Sequence, residues 1–96
     1  MNKPRIVKDY DKVSEEILTL VKLEYPFGFE KKLITFKNKE DKLVSALPFE
    51  TDDHYYLIRM TVNQAEIIME EDDDYDDDGN LTEEAIERLE ADLDDA

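Results

Sequence analysis

Apolar residues along this chain recur first at helical and then at strand spacing. Tyr10, Val13, Ile17, Leu20 and Val21 lie three, four, three and one residues apart, which is one face of an α-helix. The pattern predicts a helix beginning near Asp9 to Asp11, with Asp11 or Ser14 as its cap. Glu15 and Glu16 suit the positive first turn. The helix must stop near Glu24, because Tyr25 precedes Pro26 and is pushed out of helical space. Phe27-Gly28-Phe29 then turns the chain, with both Phe side chains expected as lids on the core.

Two-residue alternation follows. Lys32, Ile34 and Phe36 alternate with Leu33, Thr35 and Lys37, a polar turn occupies Asn38 to Asp41, and a return strand runs from Leu43 to Leu47. Pro48 should end that strand, since it cannot donate to a ladder. Phe49 to Asp53 reads as a loop. His54 to Thr61 reads as a third strand with a Tyr56/Ile58/Met60 face. Thr61 with Gln64, or Asn63 with Glu66, has capping-box spacing for a second helix, whose apolar face is Val62, Ala65, Ile68 and Met69. After an acidic run, Thr82 is placed to cap a last short helix, with Leu81 and Ile86 as a staple and Leu89 and Leu93 continuing the stripe. Its end, Asp92 to Asp95, opposes the helix dipole and should fray.

These elements predict an α+β fold: an N-terminal helix on a three-stranded antiparallel β-meander, followed by a second helix, an acidic linker and a short C-terminal helix. Residues 1–70 read as the folded domain and 71–96 as the acidic linker with its helix. Ninety-six residues suit one compact domain. A domain of this size buries roughly 60–65% of its unfolded surface, which leaves little margin.

Charge changes the picture once it is located. The net charge is −15, yet residues 1–62 hold eleven basic and eleven acidic side chains, while 63–96 hold Arg88 against sixteen acids. An electroneutral part is thus joined to an acidic appendage. With no cysteine, neither a disulfide frame nor a thiolate metal site is possible. The apolar run at Ile6-Val7 is too short for a signal peptide, and Ile17 to Leu23 is interrupted by Thr19 and Lys22. A cytoplasmic protein without a membrane span is the expectation.

The acidic segment Glu71 to Asp78 admits three readings. A like-charge run is usually solvated and disordered, so it can simply be a linker that maintains solubility. It can also dock a basic protein partner, with Asp72, Asp73 and Asp77 raising the local negative potential. Direct nucleic-acid binding by this segment is excluded by its sign. An internal variant has the hairpin lysines Lys31, Lys32, Lys37, Lys39 and Lys42 receive the segment. Third, Asp74-Tyr75-Asp76-Asp77-Asp78-Gly79-Asn80-Leu81-Thr82 resembles the first nine positions of an EF-hand calcium loop. Asp74, Asp76, Asp78 and Asn80 would supply oxygen ligands and Gly79 the sharp turn. The loop departs from that pattern at its twelfth position, which is Ala85 where a bidentate Glu belongs.

No catalytic constellation accompanies these features. His54 follows Asp52 and Asp53 at a strand start, but no nucleophile is paired with it, and only Gly28 and Gly79 are available for a phosphate loop. A small enzyme around His54 is therefore the third reading, behind a non-catalytic binding or regulatory protein and a calcium-binding protein. In the folded part, Tyr55 and Tyr56 should point to opposite sheet faces. The outward one, with Phe49 and Arg59, offers an interaction surface of anchor-type residues. Leu33, Leu43, Leu47 and Leu57 place leucine on both faces, so either the second helix or a second subunit of a homodimer covers the far side.

The segment Leu47 to Met60, followed by the run Glu71 to Leu81, resembles small acidic uncharacterised proteins of Bacteroidetes bacteria. The resemblance implies a bacterial cytoplasmic origin and carries no activity or catalytic residue with it.

Overall fold

The computed structural model describes residues 3–94. Its elements are β1 (Arg5–Asp9), a 3-10 turn (Tyr10–Lys12), α1 (Glu15–Glu24), β2 (Ile34–Lys37), β3 (Leu43–Glu50), β4 (Tyr55–Arg59), α2 (Val62–Glu71) and α3 (Glu83–Asp94). The class is α+β, as the patterning predicts. The sheet is not a three-stranded meander: it has four strands in the order β1-β4-β3-β2. β2, β3 and β4 are antiparallel neighbours, and β1 adds to β4 in parallel. A parallel partner cannot arrive through a hairpin and needs a long crossover. Here the crossover is α1 together with the β2–β3 hairpin.

Pro48 does not end β3, and the reason is positional. β2 stops with Ile34 opposite Ala46, so beyond that point β3 has only β4 as a partner. The Pro48 carbonyl accepts a hydrogen bond from the Tyr25 hydroxyl, on the side that β2 has vacated. In an antiparallel strand a residue's nitrogen and carbonyl oxygen point the same way. The missing N–H of Pro48 therefore faces away from β4, and no ladder bond is lost.

Helix boundaries follow the capping chemistry. Ser14 Oγ accepts from the Ile17 amide, so α1 starts at Glu15, and Tyr10 and Val13 reach the core from outside the helix. Thr61 and Gln64 form a complete capping box on α2, and Thr82 Oγ1 accepts from the Ala85 amide at 3.1 Å on α3. α3 continues to Asp94, and the expectation of fraying also reaches Asp95, which lies outside the described residues.

All three helices pack on one side of the sheet. Leu47 and Phe49 of β3 and Ile58 of β4 share a single cluster with Val21 of α1, Met69 of α2 and Leu89 of α3. Tyr75, Leu81 and Ala85 belong to the same cluster, so it extends across the boundary drawn at residue 70. No helix among the described residues is long and apolar enough to cross a membrane.

Candidate functional site: the acidic loop and its cleft

An aspartate run is expected to be solvated because its charges repel and it offers nothing to bury. The loop between α2 and α3 is ordered instead, for two reasons legible in its atoms. First, Asp has a short side chain that accepts from backbone two residues on, mimicking a turn. Asp72 Oδ1 accepts from the Asp74 amide, and Asp76 Oδ1 accepts from the Asp78 and Asn80 amides, each at 2.9 Å. The Asp76 amide donates to the Asn80 carbonyl at 2.8 Å, Gly79 takes φ +84°, and Tyr75 and Leu81 form an antiparallel bridge.

Second, the loop carries one large aromatic, and it is buried. Tyr75 is 6% exposed and meets Phe29 edge to face with centroids 6.1 Å apart. Its hydroxyl donates to the Tyr25 carbonyl at 3.2 Å. The Leu81 amide donates to the Pro26 carbonyl at 2.7 Å, tying the loop to the turn after α1. The expectation that this run contributes nothing to a core is therefore corrected by Tyr75.

Two of the aspartates are taken up by internal cations. Lys22 Nζ on α1 lies 2.5 Å from Asp72 Oδ2 and 2.9 Å from Asp74 Oδ2, and Arg88 of α3 reaches Asp74 Oδ2 at 2.5 Å. The internal receiver of the acidic segment is thus this pair rather than the hairpin lysines. Lys37 and Lys42 instead lie near Asp41 and Glu40 of their own turn. The hydrogen bond from Arg88, then that from Lys22, hold the Asp74 carboxyl below its usual pKa despite partial burial. Burial alone would depress Lys22, but its bonds to Asp72 and Asp74 outweigh that and raise it.

The EF-hand-like assignment does not fit this geometry. Asp74, its first ligand, is held between two cations, and Asp76 spends an oxygen on two backbone amides. Among the described residues no group of three or more acidic or histidine side chains is placed to hold a metal ion. Asp74, Asp76, Asp78 and Asn80 shape a turn rather than a coordination shell. Calcium needs six to eight converging oxygens.

What the loop does build is a cleft. Asp76, Asp77, Asp78 and Gly79 face Glu66, Met69 and Glu70 of α2 and Glu30 of the α1–β2 connection across an opening of about 350 Å³, with Tyr75 also in its lining. Among the described residues, six carboxylates and no basic side chain line it. Sequence reasoning missed Glu30, Glu66 and Glu70, because only the packing of α2 against the loop brings them to Asp76–Asp78. The helical i, i+4 spacing of Glu66 and Glu70 was a usable signal.

The other expected interaction residues do not form one surface. Phe49 is buried under the helices, opposite Tyr56 in register. Tyr55 and Arg59 lie on the reverse face of the sheet, where Arg5 sits over the Tyr55 ring at 5.9 Å and Arg59 Nε pairs with Asp9 at 2.7 Å. Asp72 is occupied by Lys22, whereas Asp73 and Asp77 are exposed. His54 packs on Tyr56 with ring centroids 5.9 Å apart, and its amide donates to Thr51 Oγ1 at 3.0 Å.

Comparison with known proteins finds no matching family model, no matching curated protein and no matching solved structure.

The buried tyrosines fix a pH dependence. Burial raises the hydroxyl pKa of Tyr75, Tyr10 and Tyr25 above the ordinary tyrosine value, and Lys22 is raised as well. Groups with raised folded pKa values contribute stability below their unfolded values, lost as pH rises through the folded ones; the window therefore opens near pH ~10. Asp74 has the opposite sign: its contribution is present above pH ~4 and is lost as pH falls through its lowered folded value. The urea midpoint should thus fall from about pH 10 upward, and Tyr75→Phe should make that fall shallower. An identical slope in the variant would show that Tyr75 does not titrate with unfolding.

Proposed function

We propose that this protein is a non-catalytic binding or regulatory module, working in the cytoplasm, that presents its acidic cleft to a basic protein partner. The observation that carries the reading is the six-carboxylate cleft with Met69 and Tyr75 in its lining. An unneutralised ring of carboxylates over apolar atoms suits a lysine or arginine side chain, whose methylene stem packs while its head stays charged. An ordered loop strengthens the case, because a pre-shaped site spares part of the ordering cost of binding. The paired Asp72 and Asp74 act as structural support, and the exposed carboxylates of the cleft make the contact.

The test uses a lysine- and arginine-rich peptide as probe, titrated by fluorescence anisotropy at two salt concentrations. Affinity should weaken as salt rises, since exposed charges are screened beyond ~10 Å at 0.1 M. Asp77→Asn with Asp78→Asn should weaken binding, at roughly 0.5–1 kcal/mol for each rim charge. Glu15→Gln with Glu16→Gln, which removes equal charge on α1, should leave it within error. Equal weakening by both pairs would mean diffuse attraction to a polyanion, and the cleft would lose its assignment.

A further inference from the structure

A groove at one end of the sheet follows from the unequal lengths of its strands and is separate from the acidic cleft. β3 begins at Leu43, whereas β4 ends at Arg59, opposite Ala46. The Met60 amide still donates to the Ser45 carbonyl at 3.2 Å. The Thr61/Gln64 capping box then starts α2 at Val62 and carries the chain out of the sheet. At its first residues β3 is therefore paired with β2 alone. The line of β4 continues as a groove of about 730 Å³, between Leu43 to Ser45 on one wall and Asp9 to Asp11 on the other. Met60 and the α2 residues Ile67 and Ile68 complete its apolar lining.

Backbone chemistry sets the shape of ligand this groove takes. In an antiparallel strand a residue's N–H and C=O point to the same neighbour, and successive residues alternate. Ser45 turns its pair towards β4, where its carbonyl accepts from Met60. Lys42 turns its carbonyl towards β2, where it accepts from the Asn38 amide at 2.9 Å. Leu43 is in step with Ser45, so its N–H and C=O face the groove, and no residue of β4 stands opposite. In the order β1-β4-β3 the two walls lie two strand spacings apart, roughly 10 Å, which admits one extended chain.

We infer that the groove binds an extended peptide segment of a partner protein, which adds as a strand beside β3 and exchanges two hydrogen bonds with Leu43. Side chains complete the description. Opposite residues of an antiparallel pair point to the same face. Leu43 shares the helical face with Leu47, so the peptide residue opposite it points towards Ile67 and Ile68. Leu43 and Ile67 are 70% and 47% exposed, and a valine or isoleucine between them covers both. Charge fixes the flank. Arg59 neutralises Asp9 at 2.7 Å, whereas Asp11 is exposed and has no ion-pair partner among the described residues. One uncompensated carboxylate beside apolar walls selects a β-branched segment with an adjacent lysine or arginine and rejects an acidic one.

The probe is a capped seven-residue peptide with valine at alternate positions and one lysine, titrated to roughly 1 mM into the isotope-labelled full chain and followed by amide NMR. The Leu43 amide should move downfield and gain protection from exchange as the peptide binds. The same peptide N-methylated at its valines keeps the side chains but loses the donors that face β3, and should bind about 5- to 10-fold more weakly. Leu43→Pro removes the protein's donor without breaking a ladder bond, as Pro48 does farther along the strand. It should weaken the parent peptide several-fold beyond Leu43→Ala. Glutamate in place of the peptide's lysine should lower affinity about 3-fold in the wild type and have no such effect in Asp11→Asn. No shift at Leu43 throughout the titration overturns the inference, as does equal binding of the parent and N-methylated peptides. Shifts confined to Glu66, Glu70 and Asp76 to Asp78 overturn it too, while leaving the acidic cleft as a site for basic peptides. Concentration-dependent shifts at Leu43 without peptide would seat a second copy of the chain there and overturn the assignment to a partner.

Discussion

Tyr75→Ala should cost about 3–5 kcal/mol of unfolding free energy, the range for truncating a buried aromatic. Domains of this size hold roughly 5–10 kcal/mol in total, so the variant should sit close to its unfolding midpoint at room temperature. The loss has named parts. The ring is 6% exposed and packs edge to face on Phe29, and its hydroxyl satisfies the Tyr25 carbonyl at 3.2 Å. Truncation leaves a cavity between the loop and the α1–β2 connection and orphans that carbonyl. Asp77→Ala, two residues away and exposed, should change stability by no more than ~0.5 kcal/mol. Urea denaturation followed by far-UV circular dichroism separates the two. Similar midpoints would mean that the acidic loop is not part of the core, and the shaped cleft would go with it.

Tyr75 also marks where the sequence stops being legible. Capping chemistry is local, and Ser14, the Thr61/Gln64 box and Thr82 all act where their spacing places them. The hairpin between β2 and β3 is equally local, with an Asn38–Asp41 turn that fits alternation on both sides. What pattern could not supply was non-local pairing. β1 has only Ile6 and Val7 as apolar residues, too few for an alternation signal, and its partner β4 lies fifty residues on in register (Arg5 opposite Tyr55). Pro48 reads as a strand end only if β3 is assumed to be paired on both sides, and the short β2 removes that assumption.

The site follows the same division. The sign and position of the charge were visible as one base against sixteen acids after residue 62. Their fate was not, because it depends on Lys22 and Arg88 arriving from two separate helices. Those two cations turn Asp74 from an expected ligand into a clasp between α1, the loop and α3. Glu30, Glu66 and Glu70 enter the cleft only once α2 is packed. Phe49, read as the start of a loop, continues β3 opposite Tyr56 and faces the helices rather than a partner.

Gly28→Ala should destabilise by about 2–3 kcal/mol, and Gly79→Ala by only about 1 kcal/mol, although both glycines have positive φ. Gly28 sits at φ +92° and Gly79 at φ +84°, so the conformational cost for an alanine is comparable. Their surroundings differ. A Cβ on Gly28 would come within 2.7 Å of Met69 Cε and 3.0 Å of the Gly79 carbonyl oxygen. Met69 Cε is the end of a flexible side chain and can move, but the Gly79 oxygen is backbone in a turn fixed by the Asp76 carboxylate. A Cβ on Gly79 meets only Met69 Cε, at an ordinary 3.5 Å. The excess for Gly28→Ala therefore measures how tightly the turn after α1 presses on the acidic loop. Loss of protection at the Leu81 amide, which donates to the Pro26 carbonyl at 2.7 Å, should accompany it in hydrogen exchange and be small for Gly79→Ala. Equal costs with unchanged Leu81 exchange would mean that the loop rides loosely on that turn, and the proposed basic partner would then have to shape the cleft on binding.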